Sequence, residues 1–188
     1  MSASNDLITK HIADISALEK HILEAVRRQR ESEAVKSDVS VNRIVMDIER
    51  VLTSHIAALD GLAAAYDGEG EAGIKKAIVA AAGVVAGLYD RLRESEITRN
   101  LRDDYTALSL AAMGYTAMHA FGLSLGESGV ADLAGRHLSD ITPLLIELSK
   151  LIPVTTITDL AKEHPDLNFD TSKISEAVEN TQRAWSRG

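Results

Sequence analysis

A chain of 188 residues, 45% hydrophobic and 26% charged, is long enough to bury a real core and suits one domain with a small appendage. The net charge of -8, with no basic stripe carrying interleaved aromatics, argues against a nucleic-acid footprint, and the absence of cysteine excludes disulfides, iron–sulfur clusters, thiolate metal sites and cysteine nucleophiles. Only 4% of residues are aromatic and only three are proline, so Ala, Leu, Ile and Val carry the apolar content, which predicts an all-α protein rather than a β-sandwich. The first six residues lack the basic region and apolar core of a signal peptide. The longest apolar run, 77–88, falls short of the roughly 20 residues a membrane helix needs. The expectation is a cytoplasmic protein without membrane insertion.

The first predicted helix takes Ser4 or Asn5 as its N-cap and runs to Val35. Ile8, Ile12, Ile15, Ile22 and Val26 follow the spacing of an amphipathic helix, and Glu19 stands on that stripe, four after Ile15 and three before Ile22. An unpaired carboxylate buried there costs several kcal/mol, so it needs a cation, a donor or a proton. Arg27, Arg28 and Arg30 near the helix end favour the negative pole of its dipole. A break is expected over 36–40. The second helix then places Val41, Val45, Ile48, Leu52, His55, Leu59, Leu62 and Tyr66 on one face, so His55 is a second polar group on an apolar stripe.

Three glycines within 67–73 mark a loop. Residues 74–94 read as an Ala/Gly-rich crossover helix in which Gly83 and Gly87, four apart, permit close backbone packing. A further helix is predicted over 97–125. One register buries Ile97, Leu101, Asp104, Leu108, Ala111, Tyr115, Met118 and Gly122; a neighbouring one turns Tyr105 and His119 inward. After a turn at 126–129, residues 130–151 form a helix with Leu133, His137, Ile141, Leu144, Leu148 and Leu151 inward and Pro143 as a kink. Pro153 is expected to close the bundle. The remainder reads as a short helix over 156–163, a breaker at His164-Pro165, and a last helix over 171–185 whose apolar face is Ile174, Ala177, Val178, Thr181 and Trp185. This divides the chain into a bundle, 1–152, and a C-terminal helical extension, 153–188, docked on the bundle or on a partner subunit.

Four long helices with a crossover between the second and the fourth describe the ferritin-like four-helix bundle. Each long helix places a polar residue on or beside its stripe: Glu19, His55, Asp104 with Tyr115, and His137 with Asp140. Carboxylates and imidazoles converging from several helices suit iron or manganese. The residues 14–20, Asp-Ile-Ser-Ala-Leu-Glu-Lys, together with His55 followed four later by Leu59 and with 112–115, Ala-Met-Gly-Tyr, resemble the small bacterial ferritin-like stress proteins over 7–152. That resemblance implies a dinuclear metal site, a homodimer and a stress-associated role.

The departures from that family are informative. Val51, Leu52 and Thr53 stand before His55 where the family has a Glu, the fourth-helix positions read Leu108-Ser109-Leu110-Ala111, and Asp140-Ile141 replaces a Glu pair. No Asp or Glu precedes any of the six histidines by three residues, so the Glu-x-x-His element of dinuclear carboxylate sites is missing. The expected state is therefore a degenerate site without a cofactor, in which Glu19 and His55 satisfy one another, in a non-catalytic protein acting through self-association or partner binding. The competing expectation is one iron, manganese or zinc ion on Glu19, His55, His137 and Asp140, supporting oxidase- or peroxidase-like chemistry or metal handling. His11 and His21 read as solvent-edge residues, and Tyr115 as a buried tyrosine bonding a core polar group. Neither a phosphate-binding loop nor a Gly-x-Ser-x-Gly nucleophile occurs. A partner surface is expected on the Gly83/Gly87 helix or the Trp185 helix.

Overall fold

The computed structural model describes residues 3–66 and 97–185. The chain is all-α: α1 (Ala3–Glu31), α2 (Glu33–Ser37), α3 (Val39–Tyr66), α4 (Ile97–Leu125), α5 (Ser128–Glu163) and, after one 3-10 turn, α6 (Ile174–Trp185), with no strand among the described residues. The expected crossover helix and its Gly83/Gly87 face lie outside the described residues.

Four long helices close a ring in which α1 packs on α3 and α4, and α5 packs on the same two. Cross-helix pairs give the directions. Lys20 meets Asp60 and Arg30 meets Glu49, so α1 and α3 are antiparallel. His11 stacks near Phe121 while Gln29 bonds Asp104, so α1 and α4 are antiparallel too. Arg43 pairs with Glu147 and Tyr66 donates to Glu127 at 2.6 Å, which sets α5 antiparallel to α3. Hence α3 and α4 run the same way across the diagonal, and Tyr66 and Ile97 lie at opposite ends of the ring.

The amphipathic stripes face the interior as the spacing predicts. On α1, Ile8, Ile12, Ile15, Glu19, Ile22 and Val26 are buried; on α3, Val41, Val45, Ile48, Leu52, His55 and Leu59 are buried. The rotation of α4 is settled in favour of the Asp104–Tyr115 register, every member of which is buried, while Tyr105 and His119 sit half-buried at its edge. Shape selects that register: a Cβ built on Gly122 would stand 2.8 Å from the Ala131 nitrogen, so the glycine is what lets α4 and α5 approach.

Two breaks differ from the sequence reading. The first falls at Ser32, whose hydroxyl accepts from the Val35 N–H at 3.3 Å and opens the five-residue α2; Asp38 then accepts from the Ser40 and Val41 N–H groups and starts α3. The second is the absence of a stop at Pro153. Both Pro143 and Pro153 lie inside α5, which runs unbroken to Glu163. A proline removes one backbone donor, but tertiary bonds hold the helix beyond it: Asp159 accepts from the Thr98 N–H at 3.1 Å and hydroxyl at 2.7 Å, capping α4 from a distance. The Thr155 and Thr156 hydroxyls donate back to the Ile152 carbonyl. The expected boundary at 152/153 thus falls within a continuous helix. The α6 helix docks on α5, with Gln182 donating to the Ser149 hydroxyl at 2.9 Å; its half-buried residues are Ile174, Val178, Thr181 and Gln182, while Ala177 is exposed.

Of the described helices, α5 alone is long and apolar enough to cross a membrane by length and composition. Scattered polar residues interrupt its apolar window, so it contains no long unbroken apolar run. Its inner face, Val130 through Leu148, contributes to the core.

Two glycines test this packing in opposite senses. Gly122→Ala should destabilise the fold by about 1–3 kcal/mol through overpacking against Ala131. Gly61→Ala, with nothing within 4 Å of the added methyl, should stabilise α3 by about 0.5–1 kcal/mol. Urea denaturation followed by helical circular dichroism measures both.

Candidate functional site

Near mid-height each ring helix turns one polar or aromatic side chain inward: Glu19 from α1, His55 from α3, Tyr115 from α4 and His137 from α5. Glu19 and Tyr115 are wholly enclosed and His55 is 2% exposed. Their meeting follows from the antiparallel register, which brings the middles of α1, α3 and α4 level with the third turn of α5.

Glu19 Oε1 lies 3.0 Å from His55 Nδ1. The His55 and His137 rings stack face to face, centroids 3.7 Å apart and 2° from parallel, and Tyr115 presents an edge-on contact to each ring. One ligand-capable atom each from Glu19, His55 and His137 falls within 4.8 Å of the others. Glu19 Oε2, His137 Nδ1 and Tyr115 Oη are buried there without a hydrogen bond of standard geometry. The phenol is nonetheless close enough to the carboxylate for the two to perturb each other.

Burial drives the electrostatics. It raises the Glu19 pKa above the ordinary carboxyl value, opposed by the hydrogen bond and charge of His55 and by Tyr115. It also pushes the Tyr115 phenol far up, with the Glu19 charge adding to the effect, so Tyr115 stays a neutral hydroxyl. His137 is lowered to about 3, first by burial and then by the positive charges of His55 and Arg136. A neutral imidazole is the form that binds metals.

Asp140 takes a different position from the one expected. It does not join the three converging ligands. Its side chain is 59% exposed and its Oδ2 lies 3.4 Å from His55 Nε2, the nitrogen on the far side of the ring from Glu19. That contact sits where a surface groove between α3 and α5, about 640 Å³ in volume, reaches His55. Asp104 also stands apart. It is buried on the same α4 stripe as Tyr115 but eleven residues away, about 16 Å along a helix, and accepts from Gln29 Nε2 at 2.9 Å. Gln29 continues the α1 stripe three residues after Val26, and that spacing is its signal in the sequence. His11 and His21 are half-buried at the edge of α1, and His11 packs on Phe121.

The residues supply donors for one metal ion. Two ligand atoms on one ion at bonds of about 2.1 Å stand roughly 3.0–4.2 Å apart, against up to 4.8 Å here, and the parallel His55 and His137 rings hold their lone pairs side by side, so one ion would draw the donors in and turn a ring. They do not fit two, since a single carboxylate belongs to the cluster.

The two buried acid–base groups act on stability in opposite senses. The depressed His137 pKa contributes stability that is present above its ordinary value near 6.5 and is lost as pH falls toward about 3; the raised Glu19 pKa contributes stability present below about 4.5 and lost as pH rises through its elevated value. His137→Gln should therefore be less stable than wild type at about pH 7 and lose less on acidification, so that the gap between their denaturation midpoints narrows by about pH 4. No family model, no curated protein and no solved structure matches the chain.

Proposed function

We propose that the chain is a ferritin-like helical protein that holds a single divalent transition-metal ion on Glu19, His55 and His137. The carrying observation is the convergence of one carboxylate and two imidazoles within 4.8 Å, from three different helices, with Glu19 Oε2 and His137 Nδ1 buried and lacking hydrogen bonds. Buried polar atoms are rarely left unsatisfied, and two in one place point to an ion or water as the partner, with the Tyr115 hydroxyl beside Glu19 as the competing donor. Two histidines and one carboxylate are the donor set of mononuclear non-haem iron sites, so iron(II) is the favoured ion ahead of manganese and zinc. Such an ion would supply redox or Lewis-acid chemistry; the chain supplies a neutral His137, an aromatic wall from Tyr115 and an enclosed Glu19.

A second reading keeps the core metal-free and assigns the protein to self-association. Two observations favour it. The Glu19–His55 contact at 3.0 Å already answers half of the buried carboxyl group. In addition, residues 105–126 carry no Asp, Glu, Lys or Arg, and α4 exposes Leu110, Met113 and Leu123 along that stretch. An uncharged, partly apolar helix face suits a second copy of the chain.

Titration of apoprotein with Fe2+, Mn2+, Zn2+ and Co2+ separates the readings. The metal reading expects about one equivalent bound, with proton release, and an affinity at least tenfold weaker in Glu19→Gln and in His137→Gln while helical content is unchanged. Failure of all four ions to bind sinks it. Sedimentation equilibrium then decides the second reading, which expects a dimer that dissociates when Met113 is replaced by Asp.

A further inference from the structure

The contact between His55 and Asp140 joins a buried ring to an exposed carboxylate. A neutral imidazole carries one proton, and the hydrogen bond made by one nitrogen decides which nitrogen keeps a free lone pair. His55 has a carboxyl group on each side: Glu19 Oε1 at 3.0 Å from Nδ1 and Asp140 Oδ2 at 3.4 Å from Nε2. Nδ1 faces the enclosed Glu19, whereas Nε2 faces Asp140 on the wall of the α3–α5 groove. The other charged groups of that groove are already engaged: Arg43 with Glu147 at 3.1 Å and Arg50 with Asp47 at 3.2 Å. Among the described residues the hydrogen-bond partner of Asp140 is His55.

We propose that Asp140 is a positioning residue: by accepting from Nε2–H it holds His55 in the tautomer whose Nδ1 lone pair points at Glu19. There that lone pair accepts from the enclosed carboxyl group in the apoprotein and is free to face the ion in the metal reading. This rests on the metal reading for its consequence but not for its geometry. The arrangement reproduces the carboxylate–histidine–metal relay, in which an outer carboxylate orients the ring and raises its basicity without touching the ion. It also explains why Asp140 stands outside the ligand cluster although it follows His137 by three residues on the same helix.

The test uses the full-length apoprotein, labelled with 15N on histidine, and two variants. Long-range 1H–15N spectra assign the His55 tautomer, and Zn2+ affinity is measured by calorimetry on the same samples. Wild type should show the Nε2–H form. Asp140→Ala should shift His55 toward Nδ1–H and weaken Zn2+ binding about tenfold to a hundredfold. Asp140→Asn, which keeps an acceptor oxygen, should recover the tautomer and most of the affinity. An Nδ1–H ring in wild type, or a tautomer unchanged in Asp140→Ala, overturns the proposal. A wild-type protein that takes up no Zn2+ while its tautomer still follows Asp140 overturns the metal reading alone and leaves the positioning role standing.

Discussion

A carboxyl group with none of its surface in water must be answered from inside the protein, and Glu19 is such a group. His55 supplies the answer at 3.0 Å, which requires α1 and α3 to hold one register to within a fraction of a turn. A slip of one helical turn, about 5.4 Å, would leave Glu19 facing apolar side chains at a cost of several kcal/mol. The polar cluster therefore specifies alignment among helices whose Ile, Val, Leu and Ala surfaces would tolerate several. Flanking ion pairs, Lys20 with Asp60 and Arg30 with Glu49, lie on exposed rims and add little to that specification.

The same enclosure shapes the chemistry. Desolvation is the largest influence that holds His137 neutral and Tyr115 protonated, and it opposes a free charge on Glu19. In that state His137 offers a lone pair and carries no positive charge of its own. Contact with solvent runs through His55, whose outer nitrogen meets the α3–α5 groove. Among the described residues, His55 thus links interior and surface on the α3–α5 side of the ring.

Much of this was legible in the chain because helical stripes are strictly spaced. Glu19 and His55 were visible as polar residues where the period demanded apolar ones, and His137 likewise. Asp104 carried the same signal and yet does not join them, because periodicity reports which face a residue occupies but not its height relative to a neighbouring helix. The direction of Asp140 was hidden for a related reason: three residues beyond His137 it lies beside the stripe, and only the placement of α3 makes that side the outer face of His55. The break at Ser32 turns on local side-chain caps, whereas the helix runs on past Pro153 where long-range bonds to Asp159 compete with local propensity. The rotation of α4, ambiguous in a run of small residues, was fixed by the close approach at Gly122, which depends on Ala131 of another helix.

The carboxylate of Asp159 reaches back to the first turn of α4, sixty-one residues earlier in the chain. During synthesis α4 emerges well before its cap exists, so its first turn has an unanswered amide until α5 has been made through and beyond Pro153. Order of translation and order of consolidation therefore part company at this end of the ring. The segment after Pro153 acts as a clasp on an earlier helix, and loss of that clasp would be felt first as fraying at Ile97 rather than as a change at the chain's own terminus.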